Sequence, residues 1–358
     1  MIKIILSGGG TGGSVSPLLA IAQEIRKVRP KTDFLFIGTK KGVPEKTMIK
    51  PFPYINYQSI SSGKLRRYFS LYNLTDLFLI LKGFVQSFFI VLKFKPQAVL
   101  SAGAFVSVPL AWAAWTLRVP VFIHQQDIRP GLANKLMSKI SKKITVSFKK
   151  SLKSFPLSKT ILTGNPVSPK ILTGNREKAI KEFELKPNWP CLLVMGGGTG
   201  AMEINQAIEE IIPDLMKFCQ VIHLTGSQKT SGKFIDNHYH QIDFFPQEDL
   251  ANLYARADLV ISRAGLGALT ELSILKKPVI IIPISDSHQE VNANYFAEQK
   301  AIVLLKDKKI NPKNLLIKIR ELILDNEQRA FLSLNIFKLA RTEASKTISK
   351  VILDNIST

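Results

Sequence analysis

Two cysteines in 358 residues, Cys191 and Cys219, are too few for a disulfide framework or a cysteine-ligated zinc site. Acidic residues are also scarce, 27 against 49 lysines and arginines, leaving a formal net charge of +22. That imbalance points to nucleic acid, an anionic membrane surface or phosphorylated ligands. No long uncharged hydrophobic run is present. The most apolar stretch, 68–94, is broken by Asp76, Lys82 and Lys93, and its longest charge-free run is 83–92. A spanning helix needs roughly 20 mostly apolar residues, so this stretch does not convincingly span a membrane. It reads as a buried helix pair, or as an interfacial segment if its Leu and Phe are exposed beside Lys64, Arg66 and Arg67. No signal peptide is visible, because Met1 runs almost directly into Ile2-Lys3-Ile4-Ile5-Leu6 and a glycine loop; a cytoplasmic setting is expected.

What is present is ample core material. Hydrophobic residues make up 46% and charged ones 21%, which excludes a mainly disordered chain, and the length suggests two domains. Short apolar runs alternate with helical stretches, the pattern of βαβ units and a parallel α/β sheet. Strands are expected at 2–6, 34–37, 98–101, 119–123, 144–148 and 160–163. Ser16-Pro17 reads as a helix cap and first turn, followed by an apolar face of Leu18, Ile21, Ala22, Ile25 and Val28. A Lys-rich helix is expected at about 131–143. The pattern restarts after a proline-containing linker at 166–190, with strands at 191–195, 221–224, 259–262 and 279–282 and a helix from about Glu203. The helical periodicity of about 326–356 suggests a tail that packs back onto the first domain.

Two strand-to-helix turns are near copies: Gly8-Gly9-Gly10-Thr11-Gly12-Gly13 and Gly196-Gly197-Gly198-Thr199-Gly200-Ala201. Glycine lets a phosphate approach the backbone without a Cβ in the way, and the helix N-terminus beyond it offers N–H groups. The alternative is a pair of tight turns that bind nothing. Gly8, Gly10 and Gly13 also fit a dinucleotide fingerprint, but that site wants an acid at the end of the second strand, where Ile37-Gly38-Thr39-Lys40 stands. Asp33 lies at the strand's beginning. A third glycine turn runs Arg263-Ala264-Gly265-Leu266-Gly267-Ala268-Leu269-Thr270-Glu271. Glu271 is expected in the first helical turn, either favouring the helix dipole or accepting from ribose hydroxyls while the N–H groups of 265–269 meet a diphosphate. Gln289 and Asn292, three apart on a further helix, share a face that could bind sugar hydroxyls.

Together these segments resemble the MurG family of glycosyltransferases over nearly the whole length. The resemblance also rests on Ser101-Ala102-Gly103-Ala104-Phe105-Val106-Ser107, His124-Gln125-Gln126-Asp127, Gly131-Leu132-Ala133-Asn134-Lys135 and Thr163-Gly164-Asn165-Pro166-Val167. It implies a GT-B fold, α/β, with two Rossmann-like domains facing a central cleft. Residues 1–164 would form the acceptor- and membrane-facing domain, 165–340 the UDP-N-acetylglucosamine domain, and 341–358 a helix returning to the first. The implied reaction is an inverting, metal-independent transfer of N-acetylglucosamine to lipid I, giving lipid II, with no cofactor and at the cytoplasmic face of an anionic membrane. By similarity Gly198 and Thr199 lie near the donor diphosphate, Leu266 to Thr270 at the helix start and Glu271 on the ribose. Gln289 and Asn292 would meet the sugar, and the uracil backbone near Gln247. Thr11, Gly12 and Gly13 would form the reaction-centre loop, with Asn134 and Asp127 on the sugar or acceptor side.

Several positions depart from the family pattern. Ser14 stands where the family usually has a histidine, Gln125 where it has a carboxylate, Asp127 where it has an amide and Ser168 where it often has an arginine. His124 or Asp127 is then the candidate base, and His124 is equally an orienting core residue. Two other readings stay open: a related transferase with another lipid acceptor, or a nucleotide-sugar-binding protein without catalysis. Nucleic-acid binding has no recognition helix or aromatic-basic motif behind it.

Overall fold

The computed structural model describes residues 1–63, 72–196, 201–226, 236–243, 245, 249–306 and 310–356. Lys64, Arg66 and Arg67 therefore lie outside the described residues. The chain divides into two units, Met1–Ser168 with Arg341–Thr358, and Pro169–Ala340.

The first unit is built on seven parallel strands: β1 (Lys3–Ser7), β2 (Asp33–Gly38), β3 (Ile55–Ser59), β4 (Ala98–Ser101), β5 (Val121–Gln125), β6 (Lys143–Val146) and β7 (Thr160–Leu162). Their spatial order is β3-β2-β1-β4-β5-β6-β7. Helices cover both faces of such a sheet, so its inner strands read as continuous apolar runs; Ile4, Ile5 and Leu6 of β1 are all fully buried. Helix Ser16–Val28 buries Leu18, Ile21, Ala22 and Ile25 on one face of the sheet. Ser16 is its first residue and not its cap; Val15 holds the cap position without a side-chain hydrogen bond.

The tail is two helices, not one. Helix Asn326–Lys338 stays in the second unit, while Ala344–Leu353 places Ile348 and Ile352 in the cluster of Leu18, Ile21 and Ile25. Each such aliphatic side chain contributes about 1.5–3 kcal/mol by leaving water, enough to hold a ten-residue helix that would not persist alone. The expected helix at 131–143 is shorter, Leu132–Ser138.

The apolar stretch forms one helix, Tyr72–Phe94, and not a buried pair. Over Thr75–Phe94 it is long and apolar enough to cross a membrane by length and composition, with mean hydropathy 1.9. One side packs on helix Ser107–Thr116, and on that side Gly83 leaves no space for a Cβ, which would stand 2.1 Å from the Ser61 carbonyl oxygen. The other side exposes Leu77, Phe78, Leu81, Val85, Phe89 and Leu92.

The second unit repeats the plan with β8 (Cys191–Met195), β9 (Gln220–Leu224), β10 (Tyr239–Ile242), β11 (Leu259–Ser262), β12 (Val279–Ile281) and β13 (Val303–Leu304). The order is β10-β9-β8-β11-β12-β13, all pairs parallel. Its core joins Leu192 and Val194 to Ile204, Ile208 and Ile211 of helix Met202–Leu215 and to Leu315 and Ile319 of helix Pro312–Leu324.

Candidate functional site

In each sheet the strand order reverses once, between β1 and β4 in the first unit and between β8 and β11 in the second. Ligands of open parallel sheets bind outside the carboxyl ends of the strands at that reversal, because the two flanking loops diverge there. The glycine turns that follow β1 and β11 sit at a reversal point; the turn after β8 lies mostly outside the described residues.

In the first unit the turn after β1 is held from beneath. Ser14 Oγ accepts from the Gly9 N–H at 2.9 Å and lies 3.3 and 3.2 Å from the Gly9 and Thr11 carbonyl oxygens, to one of which it donates. Ser14 is buried, so its hydroxyl ties the loop and is not presented to a ligand. Glu45, absent from the sequence expectations, is fully buried beside it. One of its oxygens accepts from the Gly10 N–H at 3.1 Å, the Thr39 N–H at 3.3 Å and the Thr39 hydroxyl at 2.8 Å. Its charge, after burial, contributes to pushing the Tyr57 phenol up to about 12. Thr11 and Gly13 are exposed at the surface of this turn, with Gly12 half-buried.

The other side of the reversal carries Gly103 (φ 101°) and Ala104 (φ 79°), the latter in the left-handed region that favours glycine. Gly103 faces Asn134, whose Oδ1 is buried without a hydrogen-bond partner among the described residues. Asn134 Nδ2 donates to Gln125 Oε1 at 2.7 Å, and Gln125 Nε2 donates to the Asp127 carbonyl at 2.7 Å. Gln125 thus uses both ends of its amide to shape the loop after β5, which carries the half-buried Asp127. His124 is fully buried, with Nδ1 2.9 Å from Thr145 Oγ1 and Nε2 3.0 Å from Asn165 Oδ1. Burial pushes its imidazole down to about 4, against the smaller opposing effect of the Asn165 bond. Of its two sequence readings, base and orienting residue, this geometry fits the second: neither nitrogen faces an incoming hydroxyl. Ser168 is half-buried at the end of the first unit.

In the second unit Gly198, Thr199 and Gln247 lie outside the described residues. The turn after β11 is described fully. Gly265 caps helix Leu266–Ile274, and Leu269 N–H already bonds to the Gly265 carbonyl at 3.0 Å, so the donors left at this helix start among the described residues are the N–H groups of Gly267 and Ala268. A Cβ added at Gly265 or Gly267 meets nothing within 4 Å. Packing does not demand glycine at these two positions, and the bare backbone leaves room for a ligand to approach it. Gly267→Ala is accordingly expected to leave the melting temperature unchanged or raised, alanine being about 1 kcal/mol better in a helix. The same change should weaken nucleotide-sugar binding several-fold in a titration.

Glu271 is not in the first turn of that helix. It is buried, and Oε2 accepts from the Tyr254 hydroxyl at 3.1 Å. Tyr254 is fully buried, and its phenol is held well above its ordinary value by burial first and the Glu271 charge second. Thr270 donates to the Leu266 carbonyl within the helix. Gln289 and Asn292 of helix His288–Glu298 do share a face, and it is turned to the Ala264 backbone. Gln289 Oε1 lies 3.2 Å from the Ala264 N–H and 3.3 Å from the Ile284 N–H, and the buried Asn292 donates to the Ala264 carbonyl at 3.4 Å. Both therefore brace the glycine turn. Only the Nε2 of half-buried Gln289 is left with no bond among the described residues. Arg263, also missed, is a third brace: it donates to the Ile282 and Pro283 carbonyls and pairs with Glu203 at 2.7 Å.

Two doubly wound parallel sheets, each with a glycine turn at its reversal point and a buried carboxylate near that turn, define the class as an enzyme built of two Rossmann-like units. The comparisons narrow the class. Residues 4–146 match the glycosyltransferase family 28 N-terminal domain and residues 191–348 its C-terminal domain. The chain belongs to glycosyltransferase family 28, and within it to the MurG family. It is 38% identical to the UDP-N-acetylglucosamine–N-acetylmuramyl-(pentapeptide) pyrophosphoryl-undecaprenol N-acetylglucosamine transferase of Lachnospira eligens, over 99% of both chains. A Bacillus cereus protein of the same description is also 38% identical, over 100% of this chain and 99% of its own. Among solved structures, MurG of Acinetobacter baumannii shares the fold at 23% identity and TM-score 0.76, covering 99% of this chain and 100% of that one. A Neisseria meningitidis UDP-N-acetylglucosamine 2-epimerase shares it at 17% and 0.71, with the same coverage.

Proposed function

We propose that this chain transfers N-acetylglucosamine from UDP-N-acetylglucosamine to the muramyl sugar of undecaprenyl-diphosphate-MurNAc-pentapeptide. The observation that carries the reading is the turn after β11: two glycines with open space before them, Gly267 and Ala268 N–H groups with no acceptor among the described residues, and the buried Glu271 carboxylate a turn further on. Backbone donors at such a helix start suit a diphosphate that gains charge as it leaves. Glu271 suits the ribose hydroxyls, and Gln289 Nε2 suits a sugar hydroxyl. The relatives that match over the whole length carry this activity in their names.

In an inverting transfer the acceptor hydroxyl attacks the anomeric carbon, its proton goes to a base, and UDP departs. With Ser14 tied into its loop and His124 enclosed, the base role falls to Asp127. Purified protein given UDP-N-acetylglucosamine and a lipid I analogue should release UDP. Asp127→Asn should lower kcat at least about a hundredfold with donor affinity unchanged. No UDP release from the wild type at any ordinary pH would sink the reading; an unchanged kcat in the variant would move the proton elsewhere.

The same proposal places the enzyme on the cytoplasmic face of an anionic membrane. Six large apolar side chains on one side of helix Tyr72–Phe94 are exposed in a chain of net charge +22, which suits insertion beside acidic headgroups. The double variant Phe78→Asp, Phe89→Asp should reduce sedimentation with phosphatidylglycerol vesicles at least tenfold. It should leave turnover of a soluble acceptor analogue intact. Equal vesicle binding by variant and wild type would remove this helix from the account.

A further inference from the structure

Glu45 is, among the described residues, the one fully buried carboxylate that the reaction above does not use, and it touches the reaction-centre loop. Its Oε1 collects three hydrogen bonds, one of them from the Gly10 amide, while Oε2 is buried with no partner among the described residues. No lysine or arginine forms an ion pair with it among those residues. A buried carboxylate with one oxygen unsatisfied is costly, and a neutral acceptor would serve the same three donors at lower cost. The loop is also shaped around it. A Cβ on Gly9 would stand 2.4 Å from Oε1 and 3.0 Å from Thr39 Cγ2, so Gly9 must be glycine for the carboxylate to sit there.

From this geometry we infer that Glu45 is a positioning residue for the transfer, a charged clamp that holds the 8–13 loop in the form that presents Thr11 to Gly13. The inference rests on the proposed transferase reading. Charge strengthens the bond to the Gly10 N–H roughly twofold over a neutral acceptor. The clamp works with Ser14, which takes the preceding amide, so two successive loop amides are fixed by side chains and the loop does not have to order itself when the acceptor arrives. Glu45 touches no substrate. Its effect reaches the reaction only through the backbone it holds, and a loop displaced by an ångström costs up to about a hundredfold in rate.

The test is Glu45→Gln, which keeps the shape and one acceptor oxygen and removes the charge. Hydrogen–deuterium exchange of the peptide covering 8–13 should speed up several-fold, with peptides over β4 and β8 unchanged. With the lipid I analogue, kcat should fall about tenfold while the Kd for UDP-N-acetylglucosamine stays within twofold. Unchanged exchange in the 8–13 peptide overturns the clamp, as does a loss of donor affinity in step with kcat, which would mark a general structural defect. If Glu45→Gln does not fold, Thr39→Val removes one of the three donors and should raise exchange in the same peptide; no change there overturns the clamp equally. A wild type that binds donor but never turns over refutes the transferase reading, and the exchange result still decides the clamp.

Discussion

Glu271→Gln is expected to weaken UDP-N-acetylglucosamine binding about a hundredfold in a calorimetric titration, with little change in the folding of the second unit. The size follows from the chemistry. A buried carboxylate that accepts from ribose hydroxyls makes charge-assisted bonds, each contributing about 1.5–3 kcal/mol, and glutamine keeps the shape while losing the charge and one acceptor. Burial and the Tyr254 hydroxyl hold the carboxylate in place before the donor arrives, so little ordering has to follow binding. Tyr254→Phe separates the two contributions. It removes that bond without touching the carboxylate, so its effect on affinity should be smaller, about tenfold. It also leaves a buried carboxylate short of one donor, so the unfolding midpoint should drop more in Tyr254→Phe than in Glu271→Gln. Donor affinity within threefold of wild type in Glu271→Gln would take Glu271 out of the donor site and leave it as a partner for Tyr254 alone.

The parts of this fold that the sequence makes legible are those where burial on both faces writes an unbroken apolar run: β1, β2, β4, β8, β11 and β12. The strands that escape it are β3, β10 and β13. β3 reads Ile55-Asn56-Tyr57-Gln58-Ser59 with only Ile55 buried, and β13 has two residues at a sheet edge, so neither carries the signal of an inner strand. Periodicity also runs straight through the break at 339–343, so by itself it does not separate helix Asn326–Lys338 of the second unit from Ala344–Leu353 of the first. The glycine turns are legible because no other residue type does their work at a strand-to-helix junction. Their supports are not. Glu45 sits in an ordinary Pro-Glu-Lys-Thr-Met segment, six residues beyond Thr39, and only packing against Gly9 gives it meaning. Gln289 and Asn292 could be placed on one face from their spacing, but spacing does not say that the face meets the Ala264 backbone. Glu271 lies a turn beyond the position its sequence context suggests, because the start of a helix is the least certain feature of a sequence.

Acidification should destabilise both units between pH 6.5 and 4, beginning above the range where most carboxylates titrate. His124 in the first unit and His223 in the second are fully buried, and burial pushes each imidazole down from its ordinary 6.5 to about 4. Their hydrogen bonds fit the neutral ring: His223 has Nδ1 2.7 Å from the Tyr239 hydroxyl and Nε2 3.0 Å from Asn205 Oδ1. An unfolded chain takes up the proton near pH 6.5, whereas the folded chain resists it until about 4. The unfolded state therefore binds more protons across this interval, and stability falls as pH falls through it. Above 6.5 the contribution is fully present; below 4 it is gone and the loss levels off. A depression of this size corresponds to about 3 kcal/mol for each histidine, a large share of the roughly 5–15 kcal/mol that holds a typical domain. His240, lowered in the same direction chiefly by burial, adds to the second unit's loss. Urea midpoints measured at pH 7, 6, 5 and 4.5 should drop steadily, and His223→Gln should flatten the part belonging to the second unit while lowering its midpoint at pH 7. A midpoint that stays level from pH 7 to 4.5 would show that these imidazoles take up protons as easily in the folded chain as in the unfolded one, and would overturn the account of their burial.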